Sequence, residues 1–198
     1  MKYFIFLIIF SVSNAIALEH RLGTSLGLGR VKSETVKTFA LDYHLLTNIH
    51  KSAYGDFKVG SGVRVTHVSS NDLPIYRSVE AIEDVSLTAA NIALYTEYNY
   101  LKYFLGFNID FIGTTFGNDS KVEGSVNKVG PSKFNNFRGG DNDVGSLNSE
   151  FWAGYKFDKT LIRAGLSHQV IQYDGSNPKG DKRQRFFDVL FISAQWCF

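Results

Sequence analysis

The sequence predicts an all-β chain folded as an eight-stranded antiparallel up-and-down transmembrane β-barrel. Three observations carry that prediction. From residue 20 onward apolar residues recur with a period of two, not 3.6, in eight separate runs. The polar face of those runs is crowded with glycine and serine, which weaken a water-facing strand but fit the bore of a narrow barrel. Aromatic residues gather at both ends of the runs, as rings at two membrane interfaces require.

The first segment stands apart. Lys2 precedes the apolar run Tyr3 to Phe10, and Ala15-Ile16-Ala17 closes the segment. A charged start, a short apolar run and small residues at the end read as a secretory signal peptide cut after Ala17. A spanning helix takes about 20 apolar residues, and this run is shorter. Residues 1–17 are expected to be the signal, and 18–198 one barrel domain.

The runs follow in order. The first sets Leu22, Thr24, Leu26 and Leu28 against Arg21, Gly23, Ser25, Gly27 and Gly29. The second sets Phe39, Leu41, Tyr43 and Leu45 against Ala40, Asp42 and His44. The third sets Phe57, Val59, Val63 and Val65 against Lys58, Gly60, Gly62 and Arg64. In the fourth, Ile92, Leu94 and Tyr98 oppose Asn91, Ala93 and Glu97, and a phase break near Ala89-Ala90 suggests a bulge. Tyr103, Leu105, Phe107, Ile109 and Phe111 oppose Phe104, Gly106, Asn108 and Asp110 in the fifth. In the sixth, Phe151, Ala153, Tyr155 and Phe157 oppose Glu150, Trp152, Gly154 and Lys156. The seventh sets Ile162, Ala164, Leu166 and Val170 against Arg163, Gly165, Ser167 and Gln169. The last carries Leu190, Ile192, Ala194, Trp196 and Phe198 on one face.

Connections alternate between long and short. Polar stretches at Arg30–Thr38, His67–Asp84, Gly117–Gly145 and Gln172–Arg185 read as solvated loops. Tight turns are expected around Asn99-Tyr100 and Asp158-Lys159, with Thr47–Asp56 longer than a tight turn. Aromatics such as Phe57, Tyr98, Tyr155 and Trp196 fall at the short-turn end, and Phe39, Phe111, Phe116 and Phe186 near the other.

Composition removes several function classes. Of 198 residues, 44% are hydrophobic and 20% charged, which excludes a disordered chain. A formal net charge of +2 leaves no electrostatic footprint for nucleic acid. One cysteine makes no intrachain disulfide, and no Cys/His cluster has metal-ligand spacing. Gly-rich phosphate loops and Gly-x-Ser-x-Gly elbows are absent. No cofactor and no metal is expected.

The chain stops on Phe198, with Trp196, Ala194, Ile192 and Leu190 on the same face. This end resembles the C-terminal signature of bacterial outer-membrane β-barrels. The pattern over 20–198 is similar to the eight-stranded outer-membrane protein A transmembrane domain and to outer-membrane protein X. The resemblance implies an outer-membrane location in a Gram-negative-type bacterium, after signal cleavage. It also implies that Phe198 and Trp196 form the assembly signal read by the barrel assembly machinery, and that a monomer contacts outer-membrane lipid and lipopolysaccharide. A secreted soluble ligand-binding barrel is an alternative, because alternation is common to both.

The inward face brings Asp42, Glu97, Asp110 and Glu150 together with Lys58, Arg64, Lys156 and Arg163, with His44 nearby. Isolated charges in a narrow bore are very costly, so these residues are expected to pair and plug the lumen. Function would then rest on a structural or surface-interaction role through the long loops. Lys179, Lys182, Arg183 and Arg185 are candidate contacts for lipopolysaccharide phosphates. Cys197 should face inward as a small hydrophobe.

An enzyme is the other alternative. Ser167-His168-Gln169-Val170 resembles the lipid A 3-O-deacylases, in which a His-x-Ser and an acid on the next strand form a lipid-facing triad. If Val170 pairs with Phe186, His168 lies opposite Asp188, a base beside its orienting acid. Val170 stands where those enzymes have serine, so no catalytic residue is expected and a lipid A-modifying activity remains the alternative function.

Overall fold

The computed structural model describes residues 18–74, 81–121, 128–131, 135–136, 148–175 and 182–198, with side chains described for 18–72, 81–121, 148–169 and 188–198. The expected signal, 1–17, lies outside the described residues. Eight long strands build the fold: β1 Leu18–Val31, β2 Glu34–Ser52, β3 Gly55–Pro74, β4 Ala81–Tyr100, β5 Tyr103–Gly117, β6 Ser149–Phe157, β7 Thr160–Gly175 and β8 Lys182–Cys197. Each pairs antiparallel with the next in sequence. β8 then returns to pair with β1, from Arg21↔Cys197 to Gly29↔Val189. The sheet closes into an eight-stranded barrel, leaving no long unpaired edge among the described residues.

Alternation sorts the two faces. Leu22, Leu26 and Leu28 on β1, Leu41 on β2, Val63 on β3, Leu94 on β4, Leu105 on β5, Phe151 on β6, Leu166 on β7 and Ile192 on β8 are all exposed. Arg21, Asp42, Arg64, Glu97, Asp110, Glu150 and Arg163 are buried inside. On β8 the outward run from Leu190 to Trp196 covers about 20 Å at ~3.3 Å per residue. That is close to the roughly 25 Å apolar band of a membrane barrel. Phe57, Tyr98, Tyr100, Tyr103, Phe157 and Trp196 ring one end of this band, exposed at the short-turn side.

The strands are longer than the sequence reading expected, and three of the four loops shrink accordingly. Arg30–Thr38 is a hairpin turning on Lys32-Ser33, with Lys32 at φ 54, as a two-residue hairpin turn requires. β3 and β4 consume most of His67–Asp84, and β7 and β8 pair as far as Asp174↔Lys182 inside Gln172–Arg185. The reason is an apolar interior at this end: Val31, Val36, Val68, Ile82, Val85, Leu87 and Val189 form one buried cluster. Their inward valines sit among polar outward residues and so read as loop.

The fourth loop, Gly117–Gly145, is partly strand. Ser120–Lys121 pairs with Lys128–Pro131, which pairs with β7 at Tyr173 to Gly175, and Asn135–Asn136 pairs with β5. Thr47–Asp56 contracts to a turn at Ala53-Tyr54, after a register shift at Ile49. The turn expected at Asn99-Tyr100 lies at Leu101-Lys102, whereas Asp158-Lys159 turns as expected.

The bulge belongs to β5, not to Ala89-Ala90. Ile92 pairs with Ile112 and Ala93 with Asp110, so Phe111 is the extra residue. On β4, Val85, Leu87, Asn91, Ala93, Tyr95 and Glu97 all keep to the buried face. What changes along β4 is the chemistry of the interior, not the phase of the strand.

Candidate functional site

The lumen is filled by ion pairs, most of which join strands that are not neighbours in the sheet. From β3, Arg64 reaches Asp110 on β5 at 2.6 Å and also pairs with Glu150 on β6. From β7, Arg163 reaches Asp42 on β2 at 3.3 Å and lies 3.8 Å from Glu150. From β1, the Arg21 guanidinium donates two hydrogen bonds of 2.7 Å to the Glu97 carboxylate on β4. The forked Arg21–Glu97 pair belongs to the strong, charge-assisted class of hydrogen bond, and it crosses the bore from β1 to β4. The side chains of Arg21, Arg64 and Arg163 are each 1% exposed.

Neutral groups complete the carboxylate shells. Asn91 donates to Asp110 at 2.8 Å, Gln195 donates to Asp42 at 2.8 Å, and the Asn108 amide donates to the Glu150 carboxylate at 3.4 Å while accepting from the Glu150 backbone N–H at 2.7 Å. His44 Nε2 is 2.8 Å from Asp42, and its ring packs on Tyr95 with centroids 3.8 Å apart. Arg163 also lies over the Trp152 ring, 4.6 Å from its centroid, a cation–π contact in the low-dielectric interior. Glycine makes room for these large groups. A Cβ at Gly106 would overlap the Trp152 indole, and one at Gly154 the Phe104 ring.

Of the residues expected in the lumen, Asp42, His44, Arg64, Glu97, Asp110, Glu150 and Arg163 meet there. Lys58 joins at the turn end, 2.7 Å from Glu19, which is also 2.6 Å from Arg21 Nε. Lys156 does not join. It is half-buried beside the turn closing β6 and makes no ion pair among the described residues. Sequence reasoning missed Glu19, and it set Arg21 on the polar face without counting it among the lumen charges. Arg21 shares the inward parity of Gly23 and Ser25, a signal that was present. Cys197 is buried, as expected, with its thiol 3.6 Å from Glu19.

The loop-end basic group is less defined. Lys179 lies outside the described residues, and Lys182, Arg183 and Arg185 belong to β8 by backbone only, their side chains lying outside the described residues.

On the outer wall the register runs as the sequence reading required. Val170 pairs with Phe186, so His168 faces Asp188 across β7 and β8, with His168 Nδ1 2.8 Å from Asp188 Oδ1. On its other side His168 pairs with Ser149 of β6. An open groove of about 450 Å³ adjoins Asp188, lined by Leu28, Gly29, Arg30, Thr35, Leu166 and Leu190.

No family model matches this chain. No curated protein matches it in sequence. Among solved structures, the fold is similar to the outer membrane enzyme PagL, at 15% identity and a TM-score of 0.46, covering 87% of this chain and 97% of that one. It is also similar to the β domain of the Bordetella autotransporter BrkA, at 9% identity and a TM-score of 0.41, covering 92% of this chain and 100% of that one.

Proposed function

We propose that this chain is a monomeric bacterial outer-membrane barrel with a plugged lumen, acting through its outer wall and loop-end surface rather than as a pore. The observation carrying this reading is the pairing of Arg21, Arg64 and Arg163 with carboxylates on strands across the bore. A barrel of eight strands is barely wide enough for its own side chains, and here they are locked together. The same filling speaks against a secreted barrel that carries a ligand inside, which needs an open cavity. The exposed leucine band speaks for lipid as the surrounding solvent.

Cell fractionation and gel mobility test the placement. The protein should partition with outer membranes, need detergent to stay in solution, and migrate faster unheated than boiled. In planar bilayers it should pass no steady current. Recovery of a soluble monomer from the periplasm without detergent, or a stable conducting state, would overturn the proposal.

A further inference from the structure

One row of the outer wall carries reactive side chains in sequence across three strands. Ser149 on β6, His168 on β7 and Asp188 on β8 are directly paired by register, and all three stand on the outward face. Directly opposed residues of an antiparallel pair have Cβ atoms about 4.5–5.5 Å apart, within reach of a side-chain rotation. Asp188 holds Nδ1 of His168 at 2.8 Å. An ionised carboxylate only accepts, so in the neutral ring Nδ1 carries the proton and Nε2 is the basic nitrogen. Val170, two residues beyond His168, offers no nucleophile, but the register supplies one from the preceding strand.

The setting defines the substrate. One step toward the membrane centre lies an apolar row, Phe151, Leu166, Leu190 and Leu28, each paired with the next. All four side chains are more than half exposed. The reactive row therefore sits at the edge of the apolar band, the depth at which an acyl ester of a membrane lipid lies. The groove beyond Asp188 adds Arg30 and Thr35 above Leu28, Leu166 and Leu190, a cation over an apolar slot. This combination suits an amphiphile with an anionic headgroup and a fatty acyl chain.

We propose that Ser149, His168 and Asp188 form a serine-esterase site that cleaves an acyl ester of an outer-leaflet lipid. The Ser149 hydroxyl attacks the ester carbonyl while its proton passes to His168 Nε2, with Asp188 holding the imidazolium. The carbon–oxygen bond to the alcohol breaks, and the alcohol leaves with that proton. Water then attacks the acyl-Ser149 ester, passing a proton through His168 back to Ser149. The net reaction is ester plus water to fatty acid plus alcohol.

The test uses the full folded barrel in detergent micelles, with a fluorophosphonate label and p-nitrophenyl decanoate and acetate as ester probes. Peptide mass spectrometry should find the label on Ser149 of the unaltered protein, and no labelling in Ser149→Ala. Decanoate hydrolysis should fall roughly a hundredfold or more in Ser149→Ala and His168→Ala. The unaltered protein should favour decanoate over acetate by roughly tenfold or more, from burial of the longer chain. No labelling and no hydrolysis above buffer by the folded protein, or activity that survives Ser149→Ala, would overturn the site. Equal cleavage of acetate and decanoate would overturn the lipid substrate. Heat-modifiable migration, read on the same samples, reports the barrel separately, so a missing esterase leaves the membrane reading intact.

Discussion

Arg64 holds two carboxylates from two different strands, Asp110 and Glu150, with its own side chain 1% exposed. Cutting it back to alanine would leave Asp110 with only the Asn91 amide beside it and Glu150 with only the Asn108 amide and the more distant Arg163, 3.8 Å away. Breaking a buried pair by removing one partner costs roughly 3–5 kcal/mol, because the remaining charge has no water to replace it. Arg64→Ala should therefore lower the unfolding free energy by about that amount, measured by urea titration in micelles. A loss within the ~0.5 kcal/mol of an ordinary surface change would show that Asp110 and Glu150 do not depend on it.

At the scale of the element, each strand presents one apolar and one polar face, and a misplaced charge reports which is which. Ala153 on β6 is exposed and pairs with Leu105 on β5 and Ala164 on β7, in the middle of the apolar band. Ala153→Arg should cost about 2–4 kcal/mol at that depth, in the same urea assay. Unchanged stability would mean that this face does not meet lipid. The β1–β2 hairpin carries the complementary lesson. Its turn at Lys32-Ser33 lies where the sequence looks like loop, because Arg30, Lys32, Ser33 and Glu34 are polar while Val31 and Val36 are not. Strand propensity is weak there, and burial of the two valines decides the outcome.

At the scale of the whole molecule, β1 and β8 are joined by nine register pairs that end at Arg21↔Cys197, and the Phe198 N–H donates to the His20 carbonyl at 3.1 Å. Phe198 also stacks on the His20 ring, with centroids 5.8 Å apart. If Phe198 is the assembly signal, its deletion should cut the outer-membrane level of the protein sharply. The truncated chain should still fold in micelles, since one rim contact is small beside a closed sheet. Normal membrane levels of the truncation, in a fractionated immunoblot, would remove that role.

Alternation by itself determined the eight strands, the faces of most of their residues and the inward set from Asp42 to Arg163, since a period of two commits each side chain to one side of a pleated sheet. Three things were decided only by the tertiary structure. The ends of the strands followed the apolar plug of Val36, Val68 and Val85, whose members meet only when the barrel closes. The partners inside the bore, such as Arg21 with Glu97, join β1 to β4, and no spacing along the chain encodes a contact across a lumen. The row of Ser149, His168 and Asp188 depends on register between strands joined by a six-residue connection and a turn. Pairing register is set by closure of the whole sheet and by the Phe111 bulge, which shifts β5 by one residue, so it is a property of the assembled barrel rather than of any segment.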